Sequence, residues 1–477
     1  VTDRTPDSPE VNKWEDLVLD PSNLDAERHA LYRRFGQLLE ADDTESLRDM
    51  AMGLSPGDLS EVLRPMNVED TARILRMLPP DPLAEVLSEI DNRSLSVLFT
   101  LLDIDEIADI IEEMPSDEAA DVIGELDTKQ AAEVLAAMEE EERGEVAELL
   151  KYPPETAGGI MAKEFAACFV DQNAGEAVAV LRGLDEDDLG EAHFVFVLDR
   201  EGHLVGRLPL IRLLITEPHT PIREVMESDP LYVAVDLDQE EVAGFFQTHD
   251  LISLPVVDRE MRMVGRITAD DVLDVMEDEA TEDFSLMAGV SKEEFGEQSS
   301  FRVARSRLPW LLGALVGQLG AVMVMRHYQQ SLASMVALTF YIPMIMATAG
   351  NIGIQTSSVV VRGLATGEVD FYHLGRHLLR ELGTAFMTGS AVAALIFVIS
   401  LAISRDPSLS SVLGMAMMLV VLFAAMAGAG IPLLLHKIGI DPAVATGPFI
   451  TTANDLVSMS IYLGLATLML SLTVGTG

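Results

Sequence analysis

Cysteine is nearly absent: Cys168 is the only one in 477 residues. One thiol cannot close an intramolecular disulfide or build a Cys-based zinc site, and it suits a reducing compartment. Basic residues are scarce as well, 32 Lys and Arg against 78 Asp and Glu, for a net charge of −46. The scarcity is uneven. From Phe301 onward there are nine basic and six acidic residues, which leaves 23 against 72, a net −49, in the first 300 positions. A surface of that sign cannot neutralise phosphates, which excludes nucleic acid as a partner. It also repels itself and calls for counter-ions. Catalytic signatures are missing: there is no phosphate-binding Gly-rich loop and no His-Glu-x-x-His, and the nine histidines are scattered. No enzyme is expected. The polar opening, Val1 to Glu10, has no apolar core, so no signal peptide is expected either.

What is present begins with a repeat. Residues 59–150 set out in rows of twelve align in columns. Val62, Ile74, Val86, Leu98, Ile110, Val122, Val134 and Val146 share one, and the residues that follow them (Leu63 to Ala147) share the next. A third holds Met66, Leu78, Ile90, Leu102, Met114, Leu126, Met138 and Leu150. The i, i+1, i+4 pattern in each row is helical, and rows end in turn signals such as Leu78-Pro79-Pro80-Asp81. Helices of about eight residues cannot bury one stripe alone, so they are expected to stack into an all-α superhelix. The spacing puts Glu113, Asp117 and Asp121 on neighbouring turns, where a bridging cation competes with a plain solvated acidic face.

A second repeat occupies residues 160–280. Phe196-Val197-Leu198-Asp199-Arg200-Glu201 and Leu204-Val205-Gly206-Arg207-Leu208 return 59 residues later as Pro255 to Glu260 and Met263 to Ile267. Upstream, Met161 and Val170-Asp171 match Met226 and Val235-Asp236 at an offset of 65, so the first copy carries about six extra residues, assigned to the acidic loop Gly183–Gly190. Each copy reads as strand, helix, two strands and helix. The pair resembles a cystathionine-β-synthase-type (CBS) regulatory module, an α/β tandem. Thr268-Ala269-Asp270-Asp271 resembles that family's ribose-contacting Thr/Ser-x-x-Asp, which implies ATP or a similar nucleotide at Thr268 and Asp271. Pro209-Leu210-Ile211-Arg212 stands in its place in the first copy. After the pair comes a carboxylate-rich helix in which Asp271, Asp274, Asp278 and Glu282 share a face, with Glu279 and Asp283 on the adjacent one. Like charges at this spacing destabilise a helix, so the segment calls for cations or a basic partner.

Five apolar stretches follow, at 308–325, 333–361, 382–403, 411–435 and 442–472. Each reaches the length of about 20 residues that a bilayer core demands. With the acidic module inside, Arg302, Arg305, Arg307, Arg362, Arg376, Arg380 and Lys437 are cytoplasmic and only Arg326 and Arg405 face out. Seven against two gives a cytoplasmic N-terminus and an external C-terminus in a cell (inner) membrane. Asp455 lies about midway along the fifth stretch, after Thr451, Thr452 and Asn454. A carboxylate at membrane depth costs about 2.5–3.5 kcal/mol on insertion scales and marks a pathway. In the second stretch, Gly350-Asn351-Ile352-Gly353 lets backbones approach closely or breaks the helix to expose carbonyls. Such a lining suits a hard cation that keeps its water, Mg2+ before others. Asp441-Pro442 is placed to cap the start of the fifth helix.

This order of parts resembles the MgtE family of magnesium channels over residues 30–475. The most specific stretches are Asp441-Pro442-Ala443, Gly447 to Asp455, and Pro343 with Gly350 to Gly353. The resemblance implies a homodimeric Mg2+ channel in the lipid bilayer. A tail (1–30) would precede a helical domain (31–152), a CBS pair (153–277), a connecting helix (278–304) and a five-helix membrane domain (305–477). It implies that Asp455 binds hydrated Mg2+, aided by backbone at Gly350 and Gly353, by Asn351 and by Asp441. It further implies that Mg2+ closes the pore through Asp238, Glu240, Asp250, Asp271, Asp274, Glu279, Glu282 and Asp283, with Glu113 and Asp117 in the helical domain. Two rivals stay open: a Co2+ or Mn2+ importer, and a membrane receptor that reads nucleotides without flux.

Overall fold

In a computed structural model of the chain, the twelve-residue period becomes a row of short helices. The described residues are 24–90, 102–124, 126–183, 193–291, 299–365, 374–445 and 447–474, with Leu95, Phe99, Glu294 and Val369. The N-terminal tail up to residue 23, most of the Gly183–Gly190 loop and Leu98 lie outside them. The chain divides into two units, Val1–Leu273 and Asp274–Gly477.

The first unit opens with a helix, Leu24–Ala41, then Thr44–Met52, Pro56–Leu63, Val68–Leu75, Pro80–Ser88, Ile104–Glu112, Ser116–Gly124, Thr128–Ala137 and Glu140–Leu149. Capping sets their starts. Ser55, Asn67 and Asp127 each accept from a backbone N–H inside the next helix, and Pro80 occupies a first-turn position where no N–H is needed. Helices pack on their second neighbours: Pro56–Leu63 on Pro80–Ser88, Pro80–Ser88 on Ile104–Glu112, and Ser116–Gly124 on Glu140–Leu149. A shared core results, and the first column of the repeat is buried at every described position. The third column holds less well at the end of the array. Leu150 is 39% exposed, because no further row follows to cover it.

Two small sheets follow. β1 (Ala167–Phe169) runs parallel to β2 (Phe194–Leu198), which pairs antiparallel with β3 (Leu204–Pro209), and β3 with β4 (Glu227–Ser228). β5 (Val233–Ala234), β6 (Ser253–Val257) and β7 (Met263–Thr268) repeat the first three. The 59-residue offset is kept to the irregularity: the ladder shifts between Val197 and Leu198, and again between Val256 and Val257. The lead-in segments are exchanged. Met161, ahead of the first copy, packs on Gly265 of the second, and Met226, ahead of the second, packs on Gly206 of the first. A Cβ at either glycine would come within 2.9 Å of a backbone oxygen or closer, so both positions need glycine. Phe196 and Leu204 bury against Val257 and Met263, welding the copies into one body.

The helix Ala269–Ala288 begins in the first unit and continues into the second, so a boundary at 277/278 falls inside it. Among its described residues the second unit also contains five helices long and apolar enough to span a bilayer: Ser300–His327, Ala337–Ala365, Leu374–Ser404, Pro407–Lys437 and Pro448–Val474. The second, fourth and fifth pack on one another, the first packs on the fifth, and the third on the fourth. Their core includes Ile345, Leu413, Val420, Val421, Ala424, Tyr462 and Leu463. Two expectations change. The second membrane helix is not broken at its glycines but runs through Pro343, Gly350 and Gly353. The fifth begins at Pro448, after a 3-10 turn (Pro442–Ala445) and a left-handed Gly447. Asp455 therefore sits about 10 Å from the start of that helix rather than at its middle.

Candidate functional site

Small residues decide where the polar groups of the membrane unit meet. Gly350 and Gly353 are buried where the second helix meets the fifth. A Cβ on Gly353 would collide with Asn454 Nδ2, whereas one on Gly350 would rest 3.4 Å from Thr451 Cγ2, an ordinary contact. On the opposite side a Cβ on Gly428 would come within 2.6 Å of Gly353 O, so the fourth helix covers that carbonyl. Close approach is what Gly353 provides here. Asn351 points away from this contact and is exposed.

Asp455 is 7% exposed and faces the first helix, where Gln318 Nε2 donates to its Oδ2 at 2.7 Å. Among the described residues no basic side chain pairs with it. Its neighbours on the fifth helix are satisfied or enclosed. Thr451 and Thr452 donate to the carbonyls of Gly447 and Pro448, and Asn454 donates weakly to Ala349 O at 3.4 Å. Asn454 Oδ1, Ser357 Oγ and Ser458 Oγ are buried with no partner. Asp441 accepts from Ala443 N at 2.7 Å, so it caps the 3-10 turn and not the fifth helix as expected.

Asp441 also meets the acidic helix. Burial raises the pKa of Asp283 to about 6, and Asp441, Glu279 and Glu282 add to the rise. The end of that helix rests against the start of the fifth: a Cβ on Gly447 would strike Met287 O, and one on Gly289 would come within 3.0 Å of Pro448. Both glycines have positive φ, which a side chain would resist. Asp274 and Asp278 are exposed on the same helix.

The first unit concentrates charge differently. Asp117, in the first turn of Ser116–Gly124, is buried beside Asp271. Its pKa is pushed well above the carboxylate range by burial, then by Asp271, Glu118 and Glu164. Glu118 rises to about 7, again chiefly through burial, with Asp271, Glu89 and Asp270 adding and a hydrogen bond from Ser88 opposing. Asp271 is raised too, although Thr268 donates to it from its N–H and hydroxyl at 2.9 and 2.6 Å. The contact is fixed by Glu164, which accepts from Ser116 N and Oγ at 3.0 and 2.9 Å, and by Lys163, which pairs with Glu148 at 2.8 Å.

The other expected ligands are not brought together within one chain. Glu113 is exposed at the end of its helix. Asp238 caps the helix Gln239–His249 by accepting from Glu240 N, and Asp250 closes the far end in a left-handed conformation, about 16 Å on. Among the described residues no three His, Cys, Asp or Glu side chains converge to enclose an ion. Sequence reasoning did not single out Gln318, Glu118 or Glu164. Gln318 left a visible signal, an amide inside an apolar stretch, while the other two sat among too many acids to stand out.

Comparison with known proteins follows the same partition. A family described as a divalent cation transporter, MgtE, matches residues 342–465; the MgtE intracellular N domain matches 54–155, and a CBS domain 222–278. The magnesium transporter MgtE of Enterococcus faecalis is 36% identical over 68% of this chain and 71% of its own length. That of Thermus thermophilus is 34% identical over 68% and 72%. The solved cytosolic domain of the Mg2+ channel MgtE in complex with ATP is 32% identical, and the match spans 51% of this chain and 99% of that one with a TM-score of 0.49.

Proposed function

The chain belongs to the MgtE family of magnesium transporters, and from that premise we propose an ion path through its membrane unit and a gate in its acidic residues. It is a multi-pass membrane protein with a soluble cytoplasmic part, it carries Mg2+, and it is not an enzyme. The Co2+ or Mn2+ importer and the flux-free receptor are not favoured by these relatives.

In this reading Asp455 is the carboxylate that meets the ion. The observation that carries it is a buried acid whose one partner among the described residues is a neutral amide, so its charge remains available to a cation. Mg2+ sheds water reluctantly, and one carboxylate suits a hydrated ion in transit. Gly353 sets the helix spacing around it, Gly350 lies at the same helix contact, Asp441 stands at the entrance, and Asn351 contributes from the exposed side of its helix. The C-terminus lies outside.

The gate is electrostatic. Asp283 beside Asp441, and Asp117 beside Asp271, are contacts between like charges that a bound dication would stabilise. At high internal Mg2+ they close, and when the ion leaves they repel. Asp274, Glu279 and Glu282 extend this surface along the connecting helix, which we place from residue 269 onward, between a CBS pair from 153 and the membrane domain from 305. Asp238, Glu240 and Asp250 would need ligands from a second chain. A homodimer is supported by the helix Leu210–Ile215, which leaves Ile211, Leu214 and Ile215 at 76%, 63% and 79% exposure. An adenine nucleotide at Thr268 and Asp271 is a secondary reading, since that carboxylate is already held by Thr268.

Proteoliposomes with an entrapped Mg2+ indicator test the path. Wild type admits Mg2+ at low cytoplasmic-side Mg2+ and is suppressed at millimolar levels, while Asp455→Ala, folded and monodisperse, loses nearly all entry. Full entry through Asp455→Ala would remove Asp455 from the path.

A further inference from the structure

The first membrane helix packs on the fifth, and glycines make the contact close. A Cβ on Gly317 would collide with Thr452 Cγ2, and one on Gly320 would come within 2.7 Å of Leu456 Cδ2. Thr452 and Leu456 flank Asp455 on the fifth helix, and Gln318 lies between the two glycines. The close approach thus brings a side-chain amide to a carboxylate 137 residues away. Gln318 is the one amide in the stretch 308–325.

We propose that Gln318 is a positioning residue for transport: its Nε2 holds Oδ2 of Asp455, fixes the carboxylate's orientation, and leaves Oδ1 as the acceptor for the water shell of the passing Mg2+. This rests on the reading of Asp455 as the acid that meets the ion. The chemistry of the donor matters. An Arg or Lys here would hold the carboxylate as firmly but cancel its charge. An apolar residue would leave the acid free to rotate and to seek a proton. A neutral amide orients the anion and keeps its field, through a hydrogen bond strengthened by the acceptor's charge. A residue that only glued two helices would affect stability and leave ion affinity alone.

The test is Mg2+ entry into proteoliposomes against external Mg2+, comparing wild type, Gln318→Met, Gln318→His and Asp455→Ala in the full chain. Met keeps length and volume without a donor. The expected result is that Gln318→Met raises the half-saturating Mg2+ about tenfold, the loss of one charge-assisted hydrogen bond, with little change in maximal rate. Gln318→His, which restores an N–H, recovers part of the shift. If Asp455→Ala is silent while Gln318→Met saturates as wild type does, the positioning role is overturned and the path stands. If Asp455→Ala conducts normally, both fall. Should Gln318→Met not yield monodisperse protein, Gln318→Asn, whose amide stops one methylene short, is read by the same criteria.

Discussion

The membrane-spanning helices and the first unit handle buried negative charge in opposite ways. In the membrane unit one carboxylate, Asp455, is set against one neutral donor, inside helices brought together by glycine. In the first unit Asp117, Glu118 and Asp271 crowd together, with Glu164 nearby and pKa values displaced upward. A lone oriented acid attracts a cation weakly enough to let it go. A crowd of acids is stable only with protons or cations among them. The first arrangement fits passage and the second fits sensing.

Shape should dominate in the membrane unit, and its glycines give the largest expected effect. Gly353→Ala places a methyl on Asn454 and beside Ile450 in a contact between fully packed helices, so the pair must separate. Mg2+ entry should fall by an order of magnitude or more, with a lower melting temperature in detergent. Gly350→Ala meets only Thr451 at ordinary distance and should keep most of its activity. Equal losses in the two variants would mean that helix spacing does not organise the path.

Charge should dominate in the first unit. Asp117→Asn with Asp271→Asn removes both the repulsion that opens the contact without Mg2+ and the carboxylates that would bridge it with Mg2+. Protease protection of the first unit in full-length protein should then differ little between chelator and millimolar Mg2+, whereas the wild type gains protection severalfold. A double variant that responds to Mg2+ as wild type does would transfer sensing to the Asp283 and Asp441 contact.

How far these differences could be read from the sequence depends on the range over which residues act. The twelve-residue columns and the 59-residue offset encode local structure, and they survive down to the repeated ladder irregularity at Val197/Leu198 and Val256/Val257. The five apolar stretches survive as five helices for the same reason. The start of the fifth helix was not legible, because Gly447 and the 3-10 turn before it are as apolar as the helix itself. Nor was the crossing of the CBS lead-ins, since Met161 and Met226 occupy equivalent places in the pattern whichever copy they cover. Asp455 could be singled out as a lone acid, but its partner Gln318 could not be assigned without knowing that two glycines bring their helices together. In the first unit the difficulty was the reverse: with so many acids, sequence could not say which would be buried.

The smallest expected effect is also the one that separates crowding from a merely acidic surface. Glu118 titrates near 4.5 when exposed in the unfolded chain and near 7 in the folded one. Between those values the folded state holds the extra proton, so stability declines as pH rises through the interval and levels off above it. Asp117 is displaced in the same direction and adds to the trend. Without divalent cations, the thermal midpoint of the first unit should therefore be a few degrees lower at pH 8 than at pH 6. Glu118→Gln should remove part of that slope, and Mg2+ should restore the midpoint more at pH 8 than at pH 6, because at the lower pH protons already do the cation's work. An exposed acidic surface would show the opposite balance, with little pH dependence in this range and a response to ionic strength instead of to Mg2+. A midpoint that is flat or rises from pH 6 to pH 8 would dissolve the contrast between the membrane-spanning helices and the first unit.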